Sequence, residues 1–165
     1  MHEAARETSK YDRIQSILIN LYVFVDRRGV AGLRNDIIDL LAEQRGSGWP
    51  LLSGSTERVG IAFSCLPSNS TLCRYLIDEA TFCWDGKLAM IEHLQDLPTE
   101  FTVEAMKATL KYTKKPDDVY MPDWRSRICM LHDHADDVEK TRCAAAHAVW
   151  FDKMIKMQRM EPVKV

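Results

Sequence analysis

From Ile14 onward, apolar residues fall at Ile14, Ile17, Leu18, Leu21, Tyr22 and Val25. This is the i, i+3, i+4, i+7 spacing of one face of a helix. Ile19, Val23 and Phe24 widen the stripe, so the helix needs neighbours on most of its sides. Gly29 interrupts the pattern, and Val30, Leu33, Ile37, Ile38 and Leu41 resume it as a second helix. So short a link predicts a helical hairpin, with Ile17, Leu21, Ile37 and Leu41 buried together across the turn. The polar residues 1–10 are expected to be disordered.

Further along, breakers cluster in residues 45–56 and predict a surface loop. Thr56, Val59, Ile61, Ala62 and Phe63 fit a short helix or a strand equally well. Pro67-Ser68-Asn69-Ser70 is a cap signal, and Leu72, Tyr75, Leu76, Ala80 and Cys83 follow at helical spacing. Pro98 with Thr99-Glu100 opens a helix through Phe101, Val103, Met106 and Leu110. Pro116 and Pro122 bracket an extended linker, and an Ala- and Met-rich helix runs from Cys143 to Met160. No alternating strand pair and no internal repeat is present. The expected fold is all-α, an irregular helical array that begins with a hairpin and ends in a loop-rich segment and a terminal helix. The expected divisions are a disordered start (1–10), a helical domain (11–113), a linker bearing Cys and His (114–142), and a terminal helix with its tail (143–165).

Hydrophobic residues at 46% and charged residues at 28% are the balance of an ordered globular domain rather than a disordered chain. Lys plus Arg number 22 against 24 for Asp plus Glu, which leaves no basic excess to neutralise phosphates and argues against nucleic acid as a partner. The most apolar run, Ile17 to Val25, is far shorter than the ~20 residues that cross a bilayer, so no membrane role is expected. No signal-peptide pattern opens the chain. Five dispersed cysteines fit reduced thiols, and a cytoplasmic or nuclear location is expected.

Signatures of catalysis are missing: there is no nucleophile elbow, phosphate loop, dinucleotide fingerprint or H-E-x-x-H. No enzyme is expected. Asp133, Asp136, Asp137 and Glu139 lack the glycine of a calcium loop and read as a solvated acidic face. One cluster stands out. Cys129-x2-His132 is followed by Cys143-x3-His147, with His134 as a spare donor. Zinc takes four sulfur or nitrogen ligands, and donors three or four residues apart on a turn or helix can face one way. A structural zinc on Cys129, His132, Cys143 and His147, with His134 as the alternative, is therefore one reading. Ordinary packing is the simpler one: Cys143 as a small core residue of an Ala-rich helix, and His132 in solvent. Trp150, Phe151 and Met154 form an aromatic and Met-rich stripe of the kind that binds protein partners.

Several segments together resemble a family. Leu21-Tyr22-Val23-Phe24-Val25-Asp26, followed by Leu33-Arg34-Asn35-Asp36-Ile37-Ile38-Asp39, is similar to the "YVFAD" and "LRN..ID" helices that close the BTB/POZ domain of filamentous-fungal proteins. Ser70 to Asp78 resembles that family's "S-x-L-R-x-L-L-V-D" helix, and Leu97-Pro98-Thr99-Glu100-Phe101 its "LP-x-x-F" element. Cys129-x2-His132-x-His134 with Cys143 resembles its terminal "C-x-x-H-x-H…C" segment. The family's turn carries Tyr, Asp and Pro where this chain has Arg28, Gly29 and Ala31. The β-sheet and first helices of a BTB domain have no counterpart before residue 14, so the resemblance implies a C-terminal piece of such a protein. It also implies a non-enzymatic protein–protein interaction module, the tail of a scaffold or ubiquitin-ligase adaptor. With the sheet missing, Ile17, Leu21 and Phe24 are expected to bind a protein partner or a second copy.

Overall fold

The computed structural model describes residues 2–46, 56–83, 95–112 and 128–160. The fold is all-α, with six helices and no strand among the described residues: α1 (His2–Arg28), α2 (Ala31–Gly46), α3 (Thr56–Cys65), α4 (Thr71–Cys83), α5 (Thr99–Tyr112) and α6 (Asp137–Met160), with a 3-10 turn at Ile128–Leu131. No helix among them is long and apolar enough to cross a membrane. The first helix reaches back to His2, through residues whose polarity predicts disorder. Residues 47–55 and 113–127, the expected loop and most of the expected linker, lie outside the described residues.

The hairpin forms as expected, and Gly29 is the reason. Its φ of 67° is the left-handed conformation that glycine adopts without steric cost. Gly29 N–H donates to the Asp26 carbonyl at 3.0 Å and Val30 N–H to the Val25 carbonyl at 3.3 Å. These two bonds are a Schellman cap, and Arg27 and Arg28 complement the negative end of the helix dipole.

The buried face of α1, however, is rotated from the expected one. Leu18, Ile19, Tyr22, Val23 and Val25 are buried against Ile37, Ile38, Leu41 and Ala42, whereas Ile17 is 56% exposed and Leu21 37%. The stripe is apolar nearly all round, so its phase was set by a pair that apolar patterning cannot register. Arg58 of α3 is buried, donates to Gln15 Oε1 and lies 3.1 Å from Asp12 Oδ1. The buried glutamine and arginine lie on the face of Leu18, Ile19 and Tyr22, and Ile17 and Leu21 turn away from it.

The ambiguous segment is the helix α3, with Val59 and Ala62 in the core. Ser70 caps α4 by accepting from the Cys73 N–H at 3.3 Å. Helix α5 packs on α4, and Phe101 meets Phe63 edge to face at 5.4 Å. Helix α6 begins at Asp137, six residues ahead of Cys143, because the acidic cluster is a cap. Asp136 Oδ1 accepts from the Glu139 N–H, and Glu139 Oε2 accepts from the Ala135 N–H, each at 2.7 Å. These acids stop a helix from fraying and are more than a solvated face.

Candidate metal centre

Ile128, Cys129 and Leu131 are buried in the 3-10 turn, which delivers the Cys129 side chain inward. The following residues are fastened to the hairpin by one side of α2. Asn35 Nδ2 donates to the Asp133 carbonyl and Asn35 Oδ1 accepts from the Asp133 N–H, both at 2.9 Å. Arg34 spans Asp26 at 2.8 Å and Asp133 Oδ2 at 2.7 Å. From α4, Arg74 donates to the Met130 carbonyl at 2.8 Å. With turn and loop held on two sides, α6 closes the third and brings Cys143 and His147, one helical turn apart, to face them.

All five predicted donors converge. The donor atoms of Cys129, His134 and Cys143 lie within 4.8 Å of one another, and so do those of His132, Cys143 and His147. Cys129 Sγ is 3.6 Å from His134 Nε2, and Cys143 Sγ is 3.2 Å from His132 Nδ1. Zinc at ~2.3 Å from sulfur and ~2.0 Å from nitrogen in tetrahedral geometry separates S and N by about 3.5 Å, so both distances fit the ion. The expectation that these side chains point apart, with His132 in solvent, does not hold: the His132 side chain is only 3% exposed. Asp39 of α2 stands beside both rings, its Oδ1 3.1 Å from His132 Nε2 and 3.4 Å from His147 Nε2.

The electrostatics suit a site that takes up a cation. Burial, reinforced by the neighbouring Cys129, pushes the Cys143 thiol up to about 12. Burial also lowers His147, and His132 and His134 add to this against the opposing pull of Asp39. The imidazole is disposed to ligate as the neutral base, whereas the thiol must give up its proton to a metal, so uptake at this site is coupled to proton release. Cys65, Cys73, Cys129 and Cys143 are all free thiols. Clefts of about 460 Å³ beside Asp39 and His147 and about 580 Å³ beside Cys129 and His134 border the cluster.

No family model, curated protein or solved structure matches the chain. Sequence patterning located the five donors and missed Arg34, Asn35, Asp39 and Arg74. The Asn35–Asp133 clamp joins positions 98 residues apart, and no local pattern signals a contact at that distance. Of the expected partner-binding residues, Ile17, Leu21 and Phe24 stand on one exposed strip of α1. The side chains of Trp150, Phe151 and Met154 lie outside the described residues.

Proposed function

We propose that the chain is a non-enzymatic helical interaction module whose C-terminal segment is fastened to the α1–α2 hairpin by a structural zinc ion. The observation that carries this is a pair of Cys/His triads sharing Cys143, in which Cys129–His134 and Cys143–His132 stand at 3.6 and 3.2 Å. Sulfur and nitrogen donors select zinc over the hard cations, which take oxygen. A rival use of the same atoms is a nucleophile relay, since Cys143, His132 and Asp39 stand in the order thiol, imidazole, carboxylate. A nucleophilic thiol needs a lowered pKa, whereas this one is raised, and a relay leaves Cys129 and His134 without a purpose. Zinc accounts for both cysteines at once. Elemental analysis of protein purified without chelator should find one zinc per chain. Protein that carries none and takes up none from micromolar zinc overturns the reading.

The interaction role is the one that the resemblance to a fungal BTB/POZ tail implies. What supports it is the strip Ile17, Leu21 and Phe24, at i, i+4 and i+7, with Ile17 and Phe24 each 56% exposed. Light scattering at micromolar concentration should report a dimer or a larger species, and Phe24→Glu should return it to monomer. A wild-type protein that is monomeric at 100 μM rules out self-association through this strip, about the upper end of the concentrations at which weak contacts are seen.

A further inference from the structure

The five donors form two triads that share Cys143, with Cys129 and His134 on one side and His132 and His147 on the other. A four-ligand zinc must therefore draw one donor from the second triad into the first. The ring atoms decide among them. His132 turns its two nitrogens in opposite directions, Nδ1 toward Cys143 Sγ at 3.2 Å and Nε2 toward Asp39 Oδ1 at 3.1 Å. His134 presents Nε2 to Cys129 Sγ at 3.6 Å. His147, one turn beyond Cys143, brings its Nε2 to 3.4 Å from the same Asp39 oxygen. Building on the zinc reading, we propose that the metal is held by Cys129 Sγ, His132 Nδ1, His134 Nε2 and Cys143 Sγ, that Asp39 is the positioning residue fixing the His132 tautomer, and that Asp39 keeps His147 outside the coordination sphere.

Three observations converge on Asp39. First, a metal at Nδ1 obliges the ring's remaining proton to sit on Nε2, the atom that faces the carboxylate. Second, Asp39 Oδ1 and His132 Nε2 are both buried, and neither makes an aligned hydrogen bond. Such a pair is costly until a proton is fixed between its members, and loading Nδ1 fixes it. Third, Asp39 belongs to the helix that already grips Asp133 through Asn35 and Arg34, so the ring is aimed by the hairpin rather than by the loop that carries it. A carboxylate behind a ligating imidazole orients the ring and raises its basicity, and losing one weakens metal binding by roughly ten- to a hundredfold. The acid that serves the site therefore lies 93 positions before the histidine it serves, on the face of α2 that the cleft beside His147 exposes.

The full chain should be titrated with zinc against a chromophoric chelator, and with cobalt(II) to read the ligand set. Asp39→Asn should weaken zinc by about ten- to a hundredfold while the cobalt bands keep their two-sulfur, two-nitrogen form. His147→Ala should move the dissociation constant by less than about threefold, and His134→Ala should cost more than about a hundredfold, since only the second removes a ligand. Long-range proton–nitrogen NMR of zinc-loaded wild-type protein, which needs no variant to fold, should find His132 ligated at Nδ1 and protonated at Nε2, with His147 unligated. A metal-bound His147, or Asp39→Asn with unchanged affinity, overturns the allotment and leaves the zinc reading standing. Wild-type protein that binds no zinc removes both.

Discussion

If zinc binds as proposed, stripping it should release α6 over residues 137–149 and leave the α1–α5 core folded. Structural zinc supplies as much as about 10–16 kcal/mol in domains that fold only around it. Here the share is smaller, because Asn35, Arg34 and Arg74 hold the 130–133 backbone without metal. What they do not hold is α6. Of its residues 137–149, all but Glu139, Cys143 and His147 are exposed, with Val138 at 76% and Val149 at 71%, so little apolar burial keeps it in place. Hydrogen exchange at Lys140–Val149 should accelerate on adding a chelator, and Cys129→Ser should reproduce that change without one. Uptake of zinc at neutral pH should release protons, since the Cys143 thiol is otherwise pushed up to about 12. Affinity should accordingly fall as the solution is acidified. Exchange rates in residues 137–149 that ignore the chelator would sink the structural role of the metal.

The second large effect separates two isoleucines on one helix. Ile19 is fully buried in the core shared by α1, α2 and α3, and Ile17 is 56% exposed. Ile19→Ala should cost about 2–5 kcal/mol, the price of an emptied core site. Ile17→Ala should stay within about 0.5–1 kcal/mol, as surface changes do. Urea denaturation of the two variants checks the difference, and equal midpoints would place the core of α1 on the wrong face. The comparison holds residue type and helix constant, so only the neighbours differ.

These residues also mark what can be read in a sequence and what cannot. The hairpin was legible because Gly29 both breaks the stripe and supplies the one positive φ that its cap requires. The caps at Ser70 and the opening of α5 after Pro98 were legible for the same reason: a local signal with a local cause. The phase of α1 was not, because Gln15 and Arg58 hold each other inside the protein from helices 43 residues apart. The start of α6 was not either, since Asp136 and Glu139 look like surface acids until they are seen to accept backbone N–H groups. Within the site, Cys129, His132, His134, Cys143 and His147 announce themselves by type and spacing. Asp39 and Asn35 are an ordinary aspartate and asparagine on a helix, and only tertiary structure gives them work.

The Asn35–Asp133 clamp has a consequence for the order in which the molecule assembles. A hairpin closed by one glycine forms from neighbours in the chain, whereas the clamp must bring together ends separated by 98 residues. The Cys and His segment can therefore seat only on a hairpin that already exists. Damage flows in one direction: a lesion in α2 abolishes the seat and with it the proposed metal site, while a lesion in the Cys and His segment leaves the hairpin intact. Under the zinc reading, substitutions that loosen α1 or α2, two helices that contribute no ligand, should therefore weaken metal binding from a distance.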